Sequence, residues 1–568
     1  MRQLTALALS ICALAWPAAA GAQAPGRGQR PARDAAARVS AGTASLSGRV
    51  VAADTGRGLS RARVAVSSPE LGEGFSALSD QDGRYTLPGL PAGTYTVSGS
   101  KAGFVTVSHG AARPQRAGTR VRLLEGQELR DVDIRLPRGS VLTGRVYDET
   151  GEPIVRALVR ASRFQYVQGE RRLTQMGSGE SDDRGQFRIY GLMPGTYVVD
   201  ASVRGAGPRE GPEGQGTTSF APTYYPGVTN VGDAAPIFLG LQQEVSTVDF
   251  LLQLVPTARV SGVVSSASGP VDGSSVMLIP DDPFGTGPAG ASSLGARVMA
   301  DGTFTITGVP PGRYVAVGRG GSRGRGPYLA GLVNVAVAGA DVTGLSIALA
   351  EGGSITGTLA TASGVPLPKQ ADLGRIRIVS EVAAQLNYAA ASAGSSGVTA
   401  RLDSGAFVIP NVFPAPQYLR VAGLPAGWAL EGIYLDGRDV SEEPFDVRPG
   451  HSVAGVRVVL TDRPTELSGT VSDDQGRPSS DPPFVVLFST DSSAWRPRSR
   501  RVQGVRPGAD GVYRVRGLPP GSYYLALAQD LESGSWYDPV VLEELKKTAQ
   551  HVSLREGETK AADVKLGG

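Results

Sequence analysis

The stretch Leu46-Ser47-Gly48-Arg49-Val50 returns four more times along this chain of 568 residues. The copies are Leu142-Thr143-Gly144-Arg145-Val146, Val260-Ser261-Gly262-Val263-Val264, Ile355-Thr356-Gly357-Thr358-Leu359 and Leu467-Ser468-Gly469-Thr470-Val471. Consecutive glycines lie 95 to 118 residues apart, which is the size of a small domain. The repeat predicts one module used five times.

Two further marks recur inside every interval. The first is a glycine turn that runs into an aromatic residue, at Tyr85, Phe187, Phe304, Phe407 and Tyr513. The second is a Pro/Gly-rich turn that runs into a tyrosine, at Tyr95, Tyr197, Tyr314, Tyr418 and Tyr523. The two marks are 10 residues apart in four modules and 11 apart in the fourth, so the sequence predicts an added residue and a different turn there.

The segments between these marks alternate apolar and polar residues, as in Val132-Asp133-Ile134-Arg135-Leu136. Period-two alternation marks strands with one buried face, and turns at intervals of about 8–12 residues favour two-sheet sandwiches. The glycine of the opening stretch shares the face of its apolar neighbours. We therefore expect either a close approach by the facing sheet or a bulge at that position.

Helix is nearly absent from the pattern. The best segment is 540–550, where Asp538 is a suitable N-cap and Pro539 suits the first helical position. A weaker candidate is 381–393, which could equally be a loop. The fold class is therefore all-β: five tandem immunoglobulin-like or transthyretin-like β-sandwiches in an elongated string, with one short C-terminal helix. Connections of five or six residues place neighbouring modules almost in contact.

The predicted boundaries follow from the marks and the composition. They are 1–22 signal peptide, 23–43 disordered lead, 44–137 sandwich 1, 138–255 sandwich 2 with a long aromatic insertion, 256–350 sandwich 3, 351–461 sandwich 4, which is divergent, and 462–568 sandwich 5 with the short helix.

The chain start predicts export. A positive residue, a short apolar run and a small-x-small site at Ala20-Gly21-Ala22 are typical of a secretory signal. We expect the protein in the periplasm or outside the cell, without a transmembrane segment or lipid anchor. The net charge of +3 over the whole chain gives no electrostatic basis for binding nucleic acid.

The chain shows no catalytic constellation. Its three histidines fall in three modules, and none begins a His-x-x-Glu zinc motif. Acid pairs such as Asp80 with Asp82 lack the spacing of a calcium loop and suit turns better. The expectation is a protein that is not an enzyme, with no metal and no cofactor.

The combined marks resemble the carboxypeptidase regulatory-like domain. The resemblance is clear in modules 1, 2, 3 and 5, whereas Pro416-Gln417-Tyr418 replaces Gly-x-Tyr in module 4. It implies a transthyretin-like sandwich with a structural or binding role, related in fold to starch-binding-like modules. Carboxypeptidase activity is not implied.

Aromatic residues in irregular segments are the candidate ligand contacts, because sugar rings stack on exposed aromatic faces. The alternative is that these rings pack over sheet edges to anchor their loops. The candidates are Tyr224, Tyr225, Trp428, Trp495, Trp536 and Tyr537.

Three functions are therefore open. One is binding of a polysaccharide or glycan, another is a spacer or adhesive, and the third is a subunit of a surface complex that binds a protein partner.

Overall fold

The computed structural model consists almost wholly of β-strands. It describes residues 42–566 apart from 69–70, 112, 115, 117, 168, 204–208, 211–216, 268–270, 282–293, 323–324, 363, 384–397, 400, 404, 478–481, 509, 530 and 533. The predicted signal peptide and nearly all of the predicted lead lie outside the described residues. The all-β class and the sandwich modules are confirmed.

The described residues of modules 1 and 2 form twenty strands. Those of module 1 are β1 (Ala44–Ala52), β2 (Arg63–Ser68), β3 (Leu71–Leu78), β4 (Arg84–Leu90), β5 (Gly93–Ser100), β6 (Val107–Ser108), β7 (Val121–Leu123), β8 (Glu128–Leu129) and β9 (Ile134–Leu136). Those of module 2 are β10 (Ser140–Tyr147), β11 (Ala157–Val167), β12 (Glu170–Glu180), β13 (Gln186–Leu192), β14 (Gly195–Val203), β15 (Arg209–Glu210), β16 (Thr217–Phe220), β17 (Thr223–Tyr224), β18 (Ile237–Leu239), β19 (Glu244–Val245) and β20 (Phe250–Leu251).

Modules 3 to 5 also consist mainly of strands. Module 3 has β21 (Leu254–Ser266), β22 (Ser275–Pro280), β23 (Gly295–Arg297), β24 (Thr303–Val309), β25 (Gly312–Ser322), β26 (Arg325–Val337) and β27 (Val342–Glu351). Module 4 has β28 (Gly353–Thr361), α1 (Gln370–Leu373), β29 (Arg377–Val382), β30 (Val398–Thr399), β31 (Arg401–Asp403), β32 (Ala406–Val412), β33 (Pro416–Ala422), β34 (Ala429–Leu435), β35 (Arg438–Asp439), β36 (Phe445–Asp446) and β37 (Ser452–Thr461). Module 5 has β38 (Glu466–Ser472), β39 (Phe484–Ser489), β40 (Val502–Val505), β41 (Val512–Arg516), β42 (Gly521–Ala528), α2 (Pro539–Lys546), β43 (Gln550–Leu554), β44 (Thr559–Ala561) and β45 (Val564–Lys565).

Each module places its opening strand at the centre of one sheet. In module 1, β1 runs antiparallel to β4 and parallel to β8 and β9, while the other sheet has the order β3-β2-β5-β6 with β7 also on β5. Modules 2 and 5 repeat this plan. In module 3, β26 pairs with both β25 and β27 and so joins the two sheets. The apolar faces of the two sheets enclose one main cluster of buried side chains in each module.

The opening glycine pairs across the strands with the first aromatic mark in all five modules. The pairs are Gly48 with Tyr85, Gly144 with Phe187, Gly262 with Phe304, Gly357 with Phe407 and Gly469 with Tyr513. In module 1 the Tyr85 hydroxyl donates a hydrogen bond of 2.6 Å to the Val132 carbonyl oxygen. A Cβ on Gly48 would lie 2.3 Å from that same oxygen. The close approach therefore comes from the gap between β8 and β9 in the same sheet and not from the facing sheet. The bulge that was the other expectation occurs in modules 3 and 4, where the pairing with the last strand is irregular beside Gly262 and Gly357.

The short C-terminal helix is confirmed. The Asp538 carboxylate accepts a hydrogen bond of 2.9 Å from the Val540 amide, Pro539 occupies the first turn, and α2 ends at Lys546, earlier than predicted. The weaker helix candidate begins inside a strand, because Glu381 belongs to β29. Its residues 384–393 lie outside the described ones. A single helical turn, α1, was not predicted.

We predict that Gly144→Ala destabilises module 2 by about 1–3 kcal/mol, the usual effect of forcing atoms into a packed site. The added Cβ would lie 2.0 Å from the Val248 carbonyl oxygen. Thermal unfolding, combined with hydrogen exchange on β10 and β13, measures the change. Gly232→Ala in the same module is the control, because its Cβ would meet no atom closer than 3.5 Å. Equal effects of the two substitutions would contradict the close-approach argument.

Candidate functional site at the junction of modules 2, 4 and 5

Module 4 departs from the repeat at its second mark. In the other modules a buried tyrosine donates its hydroxyl proton to a carbonyl four residues earlier, as in the 2.7 Å bond from Tyr95 to Pro91. In module 4 the buried Gln417 takes that position and donates its amide to the Phe413 carbonyl at 2.8 Å. Gln417 is 10 residues after Phe407, the spacing of the other modules. The prediction that Tyr418 is the second mark, with an added residue before it, was wrong.

Tyr418 is the next residue of the same strand. Successive residues of a strand point to opposite faces, so Tyr418 points away from the core that Gln417 enters. Two guanidinium groups approach its ring. The Cζ atom of Arg498 lies 4.9 Å from the ring centroid and that of Arg420 lies 5.4 Å from it. Tyr418 therefore contacts module 5 through the face of β33 that points away from the core.

Arg498 of module 5 is the centre of this contact. Its side chain is 3% exposed, and its Nη1 donates a hydrogen bond of 3.0 Å to Glu381 of module 4. Its Nε lies 3.7 Å from Glu170 of module 2. One buried guanidinium therefore joins three modules. We define the junction as the residues around Arg498 where modules 2, 4 and 5 meet.

A loop of module 4 holds module 5 beside Arg498. The Glu442 carboxylate accepts hydrogen bonds of 2.8 Å from the Ser499 hydroxyl and from the Arg500 amide. The Arg500 guanidinium donates to the carbonyl oxygens of Leu430 at 2.7 Å and Glu431 at 3.1 Å. Arg496 adds a bond of 3.2 Å to Glu443. These contacts use both backbone and charged groups, so they fix the orientation of the two modules.

The β11–β12 hairpin of module 2 reaches module 5 from the other side. The Tyr166 hydroxyl donates a hydrogen bond of 2.8 Å to the Asp538 carboxylate, and Arg163 pairs with Glu532. Backbones meet closely here. A Cβ on Gly169 would lie 2.7 Å from the Pro497 Cα, and one on Gly534 would lie 2.7 Å from the Tyr166 Cβ. The string of modules is therefore bent, so that module 5 contacts module 2 as well as its neighbour.

The junction is charged and largely buried. Burial lowers the pKa of the guanidinium groups of Arg420 and Arg500. Several buried guanidinium N–H groups have no hydrogen-bond partner within the protein; they are Nε of Arg163, Arg496, Arg498 and Arg500 and Nη2 of Arg420. Since a buried charge is costly unless it is paired, the carboxylates around these groups are essential to the contact.

A polar cleft of about 520 Å³ opens beside the junction, between modules 4 and 5. Four hydroxyls, two acidic side chains and two basic side chains line it. These residues are Ser489, Thr490, Ser493, Ser522, Glu442, Arg496, Asp491 and Arg501, together with Ala494. The lining can exchange hydrogen bonds with a hydroxyl-rich ligand, and its charges balance.

Three of the six predicted ligand aromatics are buried. Tyr224 is 7% exposed, Trp495 is 6% exposed and Trp536 is 8% exposed. The Trp495 indole donates a hydrogen bond of 2.7 Å to the Ser489 carbonyl and meets the Phe488 ring edge-on at 5.5 Å. The Trp536 ring packs 5.1 Å from that of Phe484. Burial leaves these three rings little free face on which a sugar could stack.

The other three predicted aromatics are half-buried. Tyr225 packs against the core of module 2 and Trp428 against the core of module 4. Tyr537 lies beside Trp536, and burial raises its pKa. A Cβ on Gly169 would lie 3.0 Å from the Tyr537 Cγ, so this ring also borders module 2. The structure does not bring the six aromatics together at one place, and sugar contact by any of them stays a prediction.

The acid residues that were weighed as calcium ligands belong to turns. The Asp80 carboxylate accepts hydrogen bonds from the amides of Asp82 at 2.9 Å and Arg84 at 2.8 Å, and Asp182 and Asp473 bond the amides two and four residues ahead in the same way. Within the described residues, no group of three or more potential metal ligands is assembled. In the same part of the chain, no helix has the length and apolarity that crossing a membrane requires.

Two stretches of the chain match a known family of domains. Residues 45–137 and 141–220 match the carboxypeptidase regulatory-like domain. Modules 1 and 2 are similar in sequence to this domain over the matched residues. The resemblance predicted from the sequence is confirmed for these two modules, and for modules 3 and 5 it stays a prediction.

The wider comparisons are distant. No curated protein matches the chain. The minor pilin GBS52 of Streptococcus agalactiae is 14% identical, with 37% of this chain and 96% of that chain covered and a TM-score of 0.21. The major pilin subunit BcpA of Bacillus cereus is 9% identical over 54% of this chain and 99% of that one, with a TM-score of 0.14. A DUF3823 family protein from Bacteroides uniformis is 13% identical, with 28% of this chain and 86% of that chain covered and a TM-score of 0.14. These scores carry no inference about function.

Arg498→Met tests the importance of the junction. We expect a loss of about 1.5–3 kcal/mol in the stability of the contact, the usual contribution of a hydrogen bond to a charged group, because Glu381 and Glu170 would lose the Arg498 guanidinium. Glu381 keeps Arg420 at 3.8 Å, and Glu170 keeps Arg172 at 2.8 Å. Hydrogen exchange of the β11–β12 hairpin and of residues 496–501, combined with denaturant unfolding, measures the loss. The control is Arg130→Met, which removes an ion pair with Glu128 whose side chains are 75% and 65% exposed. A stability equal to that of the control would show that Arg498 does not hold the modules.

Proposed function

We propose that the chain is an exported, non-enzymatic structural protein that holds its modules in a fixed arrangement and presents their outer faces to a partner outside the cell. The carboxypeptidase regulatory-like domain is a non-catalytic module, which supports the absence of enzymatic activity. The observation that carries the proposal is the junction, where Arg498 contacts Glu381 and Glu170 of two other modules.

The other connections also favour a stiff unit over a flexible linker chain. Strand β16 of module 2 pairs with β21, which continues into the core of module 3. Ala330 of module 3 packs with Val382 and Phe413 of module 4 in one buried cluster. Between modules 1 and 2, the Gly139 amide donates a hydrogen bond of 3.0 Å to the Gly103 carbonyl. Strand pairing, apolar packing and backbone hydrogen bonds therefore restrain every neighbouring pair, including modules 4 and 5 at the junction.

Small-angle X-ray scattering of the full chain tests this proposal. Five sandwiches placed end to end would span roughly 150 Å at about 30 Å each. We expect a maximum dimension for the described modules well below that value, and an increase in the Arg498→Met variant as module 5 separates from module 2. A wild-type profile typical of an extended flexible string would contradict the fixed arrangement. Recovery of the native protein only from the cytoplasm would contradict export.

Binding of a polysaccharide or glycan is a second candidate. The polar cleft beside the junction favours it, because hydroxyls such as those of Ser493 and Ser522, together with charged groups, suit a hydroxyl-rich ligand. Tyr225, Trp428 and Tyr537 are the predicted aromatics that keep a partly exposed ring. A surface protein partner without glycan binding is the alternative.

Substitution of five of the predicted aromatics separates binding from packing. We expect Trp495→Ala and Trp536→Ala to lower stability by about 3–5 kcal/mol, the usual cost of removing a large core ring. Tyr225→Ala, Trp428→Ala and Tyr537→Ala should affect stability less. Glycan-array binding and calorimetric unfolding are measured on the same samples. Glycan binding that is lost only where stability is also lost would argue against a ligand role for these rings.

A further inference from the structure

A second cleft lies on a hairpin that extends the first sheet of module 4. Strand β34 pairs with β37, the last strand of the module, and β35 pairs with β34 at the edge. In modules 1, 2 and 5 the described residues place no further strand beyond the corresponding last strands. The hairpin therefore belongs to the module that also supplies the junction, and sequence reasoning did not single it out.

The cleft has a volume of about 340 Å³, within the range of small-molecule sites. Tyr434 and Val459 are among the residues that line it. The Tyr434 hydroxyl donates to both carboxylate oxygens of Glu431, at 3.1 and 3.2 Å. The ring covers Gly432, where a Cβ would lie 2.8 Å from its Cε2. One side of the ring thus rests on the sheet, and its hydroxyl is fixed.

The hairpin is held rigidly from both ends. Arg500 of module 5 binds the carbonyl oxygens of Leu430 and Glu431, next to an irregularity in the pairing of β34 with β37. At the tip, Asp436 and Gly437 have φ values of 52° and 79° and form the two-residue turn between β34 and β35. A site on such a support loses little conformational entropy when it binds a ligand.

The lining identifies the class of ligand. An aromatic ring suits the apolar face of a sugar, and planar carboxylate and guanidinium groups can each bond two neighbouring hydroxyls. Asp436 and Arg457 supply those groups at the rim of the cleft. With Glu431 included, the lining has one more negative than positive side chain, which disfavours an anionic sugar. We propose that this cleft binds one or two sugar rings of a neutral polysaccharide, with Tyr434 as the stacking residue. The proposal rests on the carbohydrate candidate above and gives it a site.

Binding to soluble probes tests the proposal on the full chain. The probes are maltoheptaose, xylohexaose, chitohexaose and laminarin, with polygalacturonate as an anionic comparison, and binding is measured by isothermal titration calorimetry. We expect saturable binding of a neutral probe, weakened about tenfold by Tyr434→Ala because stacking is lost. Tyr434→Phe keeps the ring and should stay within about threefold of wild type. Tyr190→Ala is the control, because this tyrosine of module 2 is 61% exposed and lies on a different module.

A further variant covers the case in which Tyr434→Ala fails to fold. Asp436→Asn removes a charge while keeping a residue that tolerates a positive φ, so it should weaken binding severalfold without unfolding the hairpin. The site is rejected if no neutral probe binds, if polygalacturonate binds best, or if Tyr434→Ala and Asp436→Asn leave binding unchanged. Binding that responds instead to Tyr225→Ala or Tyr537→Ala would reject this cleft and leave the carbohydrate candidate standing.

Discussion

The fold depends on one repeated contact, in which a glycine of the opening strand leaves room for a carbonyl oxygen that lies in, or just before, the last strand of the module. In module 1 the oxygen belongs to Val132, and it accepts the hydroxyl proton of Tyr85, the residue paired with Gly48. In the five modules a Cβ on the equivalent glycine would lie 1.9 to 2.3 Å from such an oxygen. The contact fixes the aromatic strand, the opening strand and the last strand relative to one another. The facing sheet then packs on the surface that these three strands form.

Module 4 differs from the other modules at one core position next to its contact with module 5. A core position that holds tyrosine elsewhere holds Gln417, whose amide makes the equivalent bond to the carbonyl four residues earlier. The next residue, Tyr418, is then free to face Arg498. Tyr418 and Gln417 thus serve the two faces of one strand, one toward module 5 and the other toward the core. The extra hairpin of the same module supplies the backbone acceptors of Leu430 and Glu431, and the loop that follows it supplies Glu442.

The buried contacts inside the modules differ in charge from those at the junction. Within modules the buried groups are mostly apolar, and the tyrosine hydroxyls of the second mark bond backbone carbonyls; burial raises the pKa of Tyr314 and Tyr523 to about 12. An exception is the buried Asp200 carboxylate of module 2, which pairs with Arg160 at 2.9 Å. At the junction the buried groups are guanidinium and carboxylate, and several N–H groups have no partner. Apolar cores favour folding of each module on its own, whereas a buried ionic contact is specific for its partner and contributes less net stability. The ionic contacts of the junction thus make the placement of module 5 against modules 2 and 4 specific.

The sequence alone determined the module and its number, because the glycine–aromatic contact is local to a strand pair and must reappear wherever the fold does. It also determined the α2 cap, since Asp538 and Pro539 act within one helical turn. It did not reveal Gln417 as the equivalent of tyrosine, because a hydrogen bond conserved between unlike side chains leaves no residue pattern. Nor did it reveal the contact of Arg498 with Glu170 and Glu381, which are far apart in the chain, or the burial of Trp495 and Trp536. Those depend on how modules and loops pack, and only the tertiary structure decided them.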